Sequence, residues 1–225
     1  MANQAVTATF LGQSGKVYTF SNTAVAEGSA GEELLSGPSP YSLVSQSLGD
    51  YAQNDVLIAG LMTAETEAGA CYISYGGDIV STVPISAASS VGCMHKLQKP
   101  LRVRPGMILQ GVVKATADKL YYLSVETANQ SHVFFATSTG AATYDLKSIT
   151  TNQDVGRVLN TPIRSGFFVG PDDSAAAPGG AIFVNGQGTL SGFIPLSETS
   201  KQQPYYTEFM IAMDLNTRSQ IVATA

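Results

Sequence analysis

The chain has 225 residues, 44% of them hydrophobic and only 13% charged, a balance that buries a core and excludes intrinsic disorder. Its 12 bases against 17 acids leave a net charge of −5, which disfavours general binding to phosphate backbones, whose affinity is summed over many Lys and Arg contacts. The longest apolar run, residues 56–62, is far short of the roughly 20 residues that span a bilayer, and two cysteines cannot make a disulfide framework.

In chain order, residues 6–11 and 16–21 flank Gly12-Gln13-Ser14-Gly15, which predicts a small hairpin whose glycines supply the positive φ values. Residues 22–41 read as loop, with at most one helical turn at 32–35. Residues 42–51 place Leu43, Val44, Ser47, Leu48 and Tyr51 at helical spacing. They predict a short helix with Ser42 as its cap and Gly49 as its stop. Beyond that hairpin, residues 1–50 are poor in strong elements.

Residues 55–63 and 70–75 predict strands, and Gly76-Gly77-Asp78 predicts a turn. A further strand over 79–85 contains Pro84, which confines it to an edge or an end. Residues 101–137 predict three strands, at 107–114, 120–127 and 132–137, joined by two short turns. Pro105-Gly106 introduces them with a turn that proline pre-sets and glycine permits. Residues 145–159 have helix-like content weakened by Thr150-Thr151-Asn152 and Gly156. Strands follow at 163–169, 181–185, 190–196 and 205–214, and a last one at 219–224.

About ten strands at spacings near ten residues, with almost no helix, predict an all-β fold. The expected architecture is an antiparallel β-sandwich or jelly roll with long loops. A single domain over 51–225 is expected, with a conceivable subdivision near 140–160.

No segment carries a catalytic signature. Cys71, Cys93 and His95 offer three conceivable zinc ligands, but a structural site needs four and uses close pairs. No metal or cofactor is expected. Gly12-Gln13-Ser14-Gly15 is one residue short of a nucleophile elbow. The Asp172-Asp173 pair lies on a loop without an aromatic platform, in a chain with no Trp. Gly186-Gln187-Gly188 lies between two strands and lacks the strand-to-helix context of a phosphate cradle. Asn129-Gln130-Ser131 matches a glycosylation sequon and reads as turn chemistry. The first ten residues have neither a basic nor an apolar leader segment, which predicts synthesis in the cytoplasm with Cys71 and Cys93 reduced.

The most informative anomaly is a basic stretch at 95–104. Residues 1–95 carry one Lys against eight acids, whereas 96–119 carry six bases against Asp118. Alternation puts Gln98, Pro100, Arg102 and Arg104 on one face. Leu97, Leu101 and Val103 occupy the other, with Lys99 as its exception. The plain reading is a solvated edge strand that charge and proline guard against strand addition. The functional reading is a docking surface, with Lys96, Lys99, Arg102 and Arg104 as its partner-binding residues. Its partner would be an acidic neighbour such as residues 1–95 of another copy. Nucleic-acid binding is not expected, because no aromatic lies between Tyr75 and Tyr121 to stack on bases.

The chain resembles structural proteins of virus particles, especially decoration (cement) or minor coat proteins of bacteriophages. The resemblance lies in the Met-Ala start, small-residue loops such as Thr139-Gly140-Ala141-Ala142 and residues 175–180, and the Trp-less, charge-poor strand succession. It implies a non-enzymatic virion component that assembles as a homo-oligomer, such as a trimer, and contacts other capsid subunits through arms and loops, with residues 1–50 and their small hairpin as an extended N-terminal arm of that kind. The competing expectation is a ligand- or carbohydrate-binding β-sandwich of the adhesin kind, using exposed tyrosines such as Tyr205 or Tyr206.

Overall fold

The computed structural model describes residues 3–28, 31–37, 44–65, 69–87, 94–113, 120–128, 130–137, 143–153, 158, 163–169, 180–184, 190–195, 207–213 and 220–224. The chain is all-β, as its strand spacing predicts, with one short helix. It opens with two ten-residue strands, β1 (Asn3–Gly12) and β2 (Val17–Ala26), paired antiparallel around the expected Gly12–Gly15 turn. In β1 the alternate residues Gln4, Val6, Ala8 and Phe10 are buried, the period-2 signature of a strand with one face on a core.

The N-terminal region is therefore not an extended arm. β1 pairs on its other side with β5 (Val56–Ala64), and Val6, Ala8, Phe10 and Phe20 are fully buried. Burying a side chain such as Phe10 or Phe20 contributes roughly 1.5–3 kcal/mol, which fixes both strands in the body of the fold. The expected helical turn at 32–35 is instead two short strands, β3 (Glu32–Glu33) and β4 (Leu35–Ser36). The expected helix at 42–51 shrinks to α1 (Leu48–Tyr51), with Ser47 at the N-cap position but making no side-chain cap bond. Ser42 lies outside the described residues. Gly49 sits inside the helix, where a Cβ would meet the Arg104 carbonyl oxygen and the Met107 nitrogen at 2.7 Å. Close approach, and not termination, requires glycine there.

The large sheet contains nine strands. It adds β6 (Gly69–Tyr75), β7 (Asp78–Ala87), β8 (His95–Arg102) and β9 (Ile108–Val113) to those already named. Its order runs β3-β9-β6-β7-β5-β1-β2-β4, with β8 also paired to β5. The two ends of that order, β3 and β4, are separated in the chain by Leu34 alone. Leu34 is fully buried and donates its N–H to the Leu109 carbonyl at 2.9 Å. The sheet thus curls until its ends nearly meet, forming a nearly closed barrel, and near-closure protects sheet edges. The sheet is mixed, because β5 and β7 run parallel over Met62–Ala64 and Ile85–Ala87. β7 is consequently flanked by β6 and β5, and its ladder to β5 begins one residue beyond Pro84.

The second sheet has the order β13-β11-β10-β14-β17. It consists of β10 (Leu120–Glu126), β11 (Ser131–Thr137), β13 (Lys147–Ser148), β14 (Ile163–Val169) and β17 (Thr207–Met213). A four-stranded sheet joins β12 (Thr143–Asp145), β18 (Gln220–Thr224), β15 (Gly180–Val184) and β16 (Leu190–Pro195) in that order. The expected three-strand unit at 101–137 is split between sheets. β9 pairs with β6 and β3 in the barrel, while β10 and β11 form their hairpin in the second sheet.

That split creates two cores. Inside the barrel lie Phe10, Phe20, Leu57, Met62, Cys71, Ile73, Val83, Leu97, Val103 and Leu109, together with Leu48 of α1. Outside it, Ala70, Tyr72 and Val112 of β6 and β9 pack against Val133, Phe135 and Phe167 of the second sheet. β6 is thus buried on both faces, which explains why its sequence ACYIS does not alternate.

Candidate functional site

The basic stretch forms β8, antiparallel to the first half of β5. Its register jumps between the Leu57–Leu101 and Ala59–Lys96 pairs, so residues 97–100 bulge from the ladder. Pro100, which has no N–H to donate, lies within that bulge. The ladder resumes at Leu101 opposite Leu57 and continues to Arg102 opposite Val56, and the Val103 N–H donates to the Asp55 carbonyl at 2.9 Å. Among the described residues β8 has no ladder on its other side.

Burial follows the expected alternation in part. Leu97 and Val103 are in the barrel core and Leu101 packs against it, while Lys96, Arg102 and Arg104 are exposed. Arg104 begins the tight turn anticipated at Pro105-Gly106. Met107 donates its N–H to the Arg104 carbonyl at 3.2 Å, and Gly106 has φ +82°. The Arg104 guanidinium carbon stands 5.8 Å from the Tyr75 ring centroid, within cation–π range.

Lys99 is exposed as well, but its ammonium group is tied to backbone. Its Nζ donates to the Thr127 carbonyl at 2.7 Å and also to the Ala128 carbonyl, in the turn between β10 and β11. That turn is itself closed by Thr127 and Gln130, whose backbone and side-chain bonds run from 2.8 to 3.1 Å. Lys99 therefore ties the barrel to the second sheet. Burial lowers its pKa, and Arg164 adds to that effect while Glu126 opposes it.

Beside Lys99 lies a polar cluster that the sequence reading missed. Glu126, 4% exposed, accepts hydrogen bonds from the Thr82 hydroxyl of β7 at 2.9 Å and from the Ser131 hydroxyl of β11 at 2.6 Å. The Thr82 and Ser124 hydroxyls are 2.5 Å apart. Burial pushes the Glu126 carboxyl up to about 7, against the opposing pull of its two hydroxyl partners and of Lys99. A lone acid closing the apolar strand 120–126, across from a Ser/Thr-bearing strand, was the available signal.

A second feature is a cleft of about 270 Å3 at the start of β11, lined by Asp78, Gln130, His132, Ser148, Thr150 and Thr151 among others. His132 stacks on the buried Phe134, with ring centroids 6.3 Å apart and planes at 26°. Burial lowers the His132 pKa, although Asp78 opposes the shift.

The remaining candidates do not converge. Cys71 is a buried free thiol whose pKa burial raises steeply. His95 lies at the start of β8, and burial lowers its pKa. Ser14 is occupied by Asp55, to which it donates both its hydroxyl and, at 3.2 Å, its N–H. No three His, Cys, Asp or Glu side chains among the described residues are grouped to hold a metal. No helix among them is long and apolar enough to cross a membrane. Cys93, Asn129, Asp172, Asp173, Gly186, Gly188, Tyr205 and Tyr206 lie outside the described residues.

No family model, curated protein or solved structure matches this chain. The geometry therefore has to carry the functional reading by itself.

Proposed function

We propose that this chain is a non-enzymatic structural component of a virion, a decoration or coat protein that assembles through subunit contacts. The observation that carries the reading is the set of exposed bases Lys96 and Arg102 on β8 and Arg104 just beyond it, β8 having a ladder on one side only among the described residues. A basic, proline-bearing strand of this kind resists indiscriminate strand addition and presents fixed charge to an acidic partner. Its backbone is held by β5 and its inner face by the barrel core. Docking onto it would therefore order long basic side chains but little further backbone, which limits the entropic cost of association. The favoured partner is a second copy, since residues 1–95 carry eight acids against one base.

Sedimentation velocity on the full chain tests this, comparing the wild type with Arg102→Glu/Arg104→Glu. The expected result is a homo-oligomer, such as a trimer, that the double variant shifts toward monomer. A wild type that sediments as a monomer and binds no capsid shell sinks the reading. A ligand-binding β-module is the second reading, and the cleft at His132 is the observation that favours it.

A further inference from the structure

The cleft beside His132 is formed where three separate segments meet. The β6–β7 turn contributes Asp78, the start of β11 contributes Gln130 and His132, and the segment following β13 contributes Ser148, Thr150 and Thr151. Each segment is held independently of any ligand. Asp78 pairs with Tyr75 in the β6–β7 ladder, and Gly76 and Gly77 take the positive φ values of the turn, +62° and +93°. His132 pairs with Val125, and its ring lies over Phe134. The Ser148 and Thr150 hydroxyls are 3.0 Å apart, and Ile149 donates its N–H to the Val133 carbonyl at 2.9 Å. A site pre-formed in this way loses little to ordering on binding.

We propose that this cleft binds a single neutral sugar ring, with the Asp78 carboxylate and the His132 imidazole as its principal hydrogen-bonding partners. The lining chemistry selects that class. No Lys or Arg is among the described lining residues and the one formal charge is Asp78, so an anion would enter against repulsion with nothing to offset it. Asp78 and His132 belong to no group of three His, Cys, Asp or Glu side chains among the described residues, which leaves too few ligands for a divalent cation. A carboxylate accepts from two neighbouring hydroxyls at once, and a neutral imidazole both donates and accepts, as a sugar hydroxyl requires of its partner. Burial keeps His132 in that neutral form near pH 7. Gln130, Ser148 and Thr150 add groups that can donate or accept. A volume of about 270 Å3 lies just below the roughly 300 Å3 at which drug-sized pockets begin, room for one ring and not for a chain of them. The inference rests on the second reading of function and is independent of assembly through β8.

The test is NMR titration of the full chain with glucose, galactose, mannose and N-acetylglucosamine, with glucuronate as the anionic comparison. At least one neutral sugar is expected to shift the amide signals of residues 77–79, 130–133 and 148–151 saturably, and glucuronate is expected not to. Asp78→Asn, an exposed turn substitution, is expected to weaken that binding about tenfold or more, and Thr150→Val to weaken it less. Silence from all four neutral sugars overturns the proposal, as does preferential binding of glucuronate. So does binding that both variants leave unchanged. None of these outcomes bears on oligomeric state, so failure here is separable from failure of the assembly reading.

Discussion

Thr82 of the barrel donates its hydroxyl to the buried carboxyl of Glu126 in the second sheet, 2.9 Å away. This bond crosses the contact between the two layers, and it places an ionisable group where ionisation is costly. The Glu126 pKa is about 7 in the folded protein against an ordinary 4.5. Below about pH 4.5 the carboxyl is protonated whether the chain is folded or not. As pH rises toward 7 the unfolded chain ionises first, so folding loses stability, and above 7 the loss is complete. At about 1.4 kcal/mol per pH unit the loss amounts to about 3 kcal/mol. Glu126→Gln removes the ionisation and keeps a side chain able to bond Thr82 and Ser131. Urea unfolding of both proteins from pH 4 to 8 is expected to show the variant gaining on the wild type through this window. A constant difference across it would remove Glu126 as the cause.

Lys99 and its neighbours on β8 are expected to separate cleanly. Lys99 bonds two carbonyls of the β10–β11 turn, and hydrogen bonds to a charged group contribute about 1.5–3 kcal/mol. Because the side chain is largely exposed, solvent screening reduces that contribution. Lys99→Met is expected to cost about 1–2 kcal/mol in unfolding free energy. Arg102→Glu, at an exposed position, is expected to stay within about 0.5 kcal/mol of wild type while weakening assembly. Thermal melts and sedimentation on the same samples read both effects. Equal stability losses would mean that Lys99 does not clamp the sheets.

What was legible in the sequence follows from where burial is one-sided. β1 announces itself because Val6, Ala8 and Phe10 alternate with exposed residues. Its place in the barrel was not legible, since nothing local says that it pairs with β5 fifty residues on. β3 and β4 hold two residues each, too short for any periodicity to show. The turn chemistry at 115–119 marks a break between strands but not a change of sheet, so β9 and β10 read as neighbours. Lys99 did stand out as the one base on an apolar face. Its partners are backbone carbonyls, which leave no mark in a sequence. Arg102 and Arg104 were legible because alternation alone places them outward.

Cys71 is expected to be chemically silent while the protein is folded. It is 1% exposed in the barrel core, and burial raises its thiol pKa far above the ordinary value. The thiolate is the reactive form, and here it is scarce as well as covered. In a Cys93→Ser background, a disulfide reagent is expected to label Cys71 only at the rate at which the barrel opens, and at once in denaturant. Rapid labelling under native conditions would show that the barrel is not closed over β6.

Asp55 fastens the first hairpin to the start of β5. It accepts from the Tyr18 hydroxyl at 2.9 Å and from the Val56 N–H at 2.7 Å, besides its bonds from Ser14. The Ser14 hydroxyl is the main cause that lowers its pKa to about 2, from an ordinary 3.8. A lowered carboxylate pKa contributes stability that is present above 3.8 and lost as pH falls toward 2. The same contact acts on its partner in the opposite sense. The Tyr18 pKa is raised first by burial and next by the hydrogen bond and charge of Asp55. Asp55→Ala removes the second cause and leaves the first. NMR titration of the Tyr18 ring is therefore expected to show its pKa falling part of the way toward 10.0 in the variant. The variant is expected to lose stability less steeply than the wild type between pH 4 and 2. A Tyr18 pKa that stays where it was, or a slope below pH 4 that matches the wild type, would place the hairpin's anchor elsewhere than at Asp55.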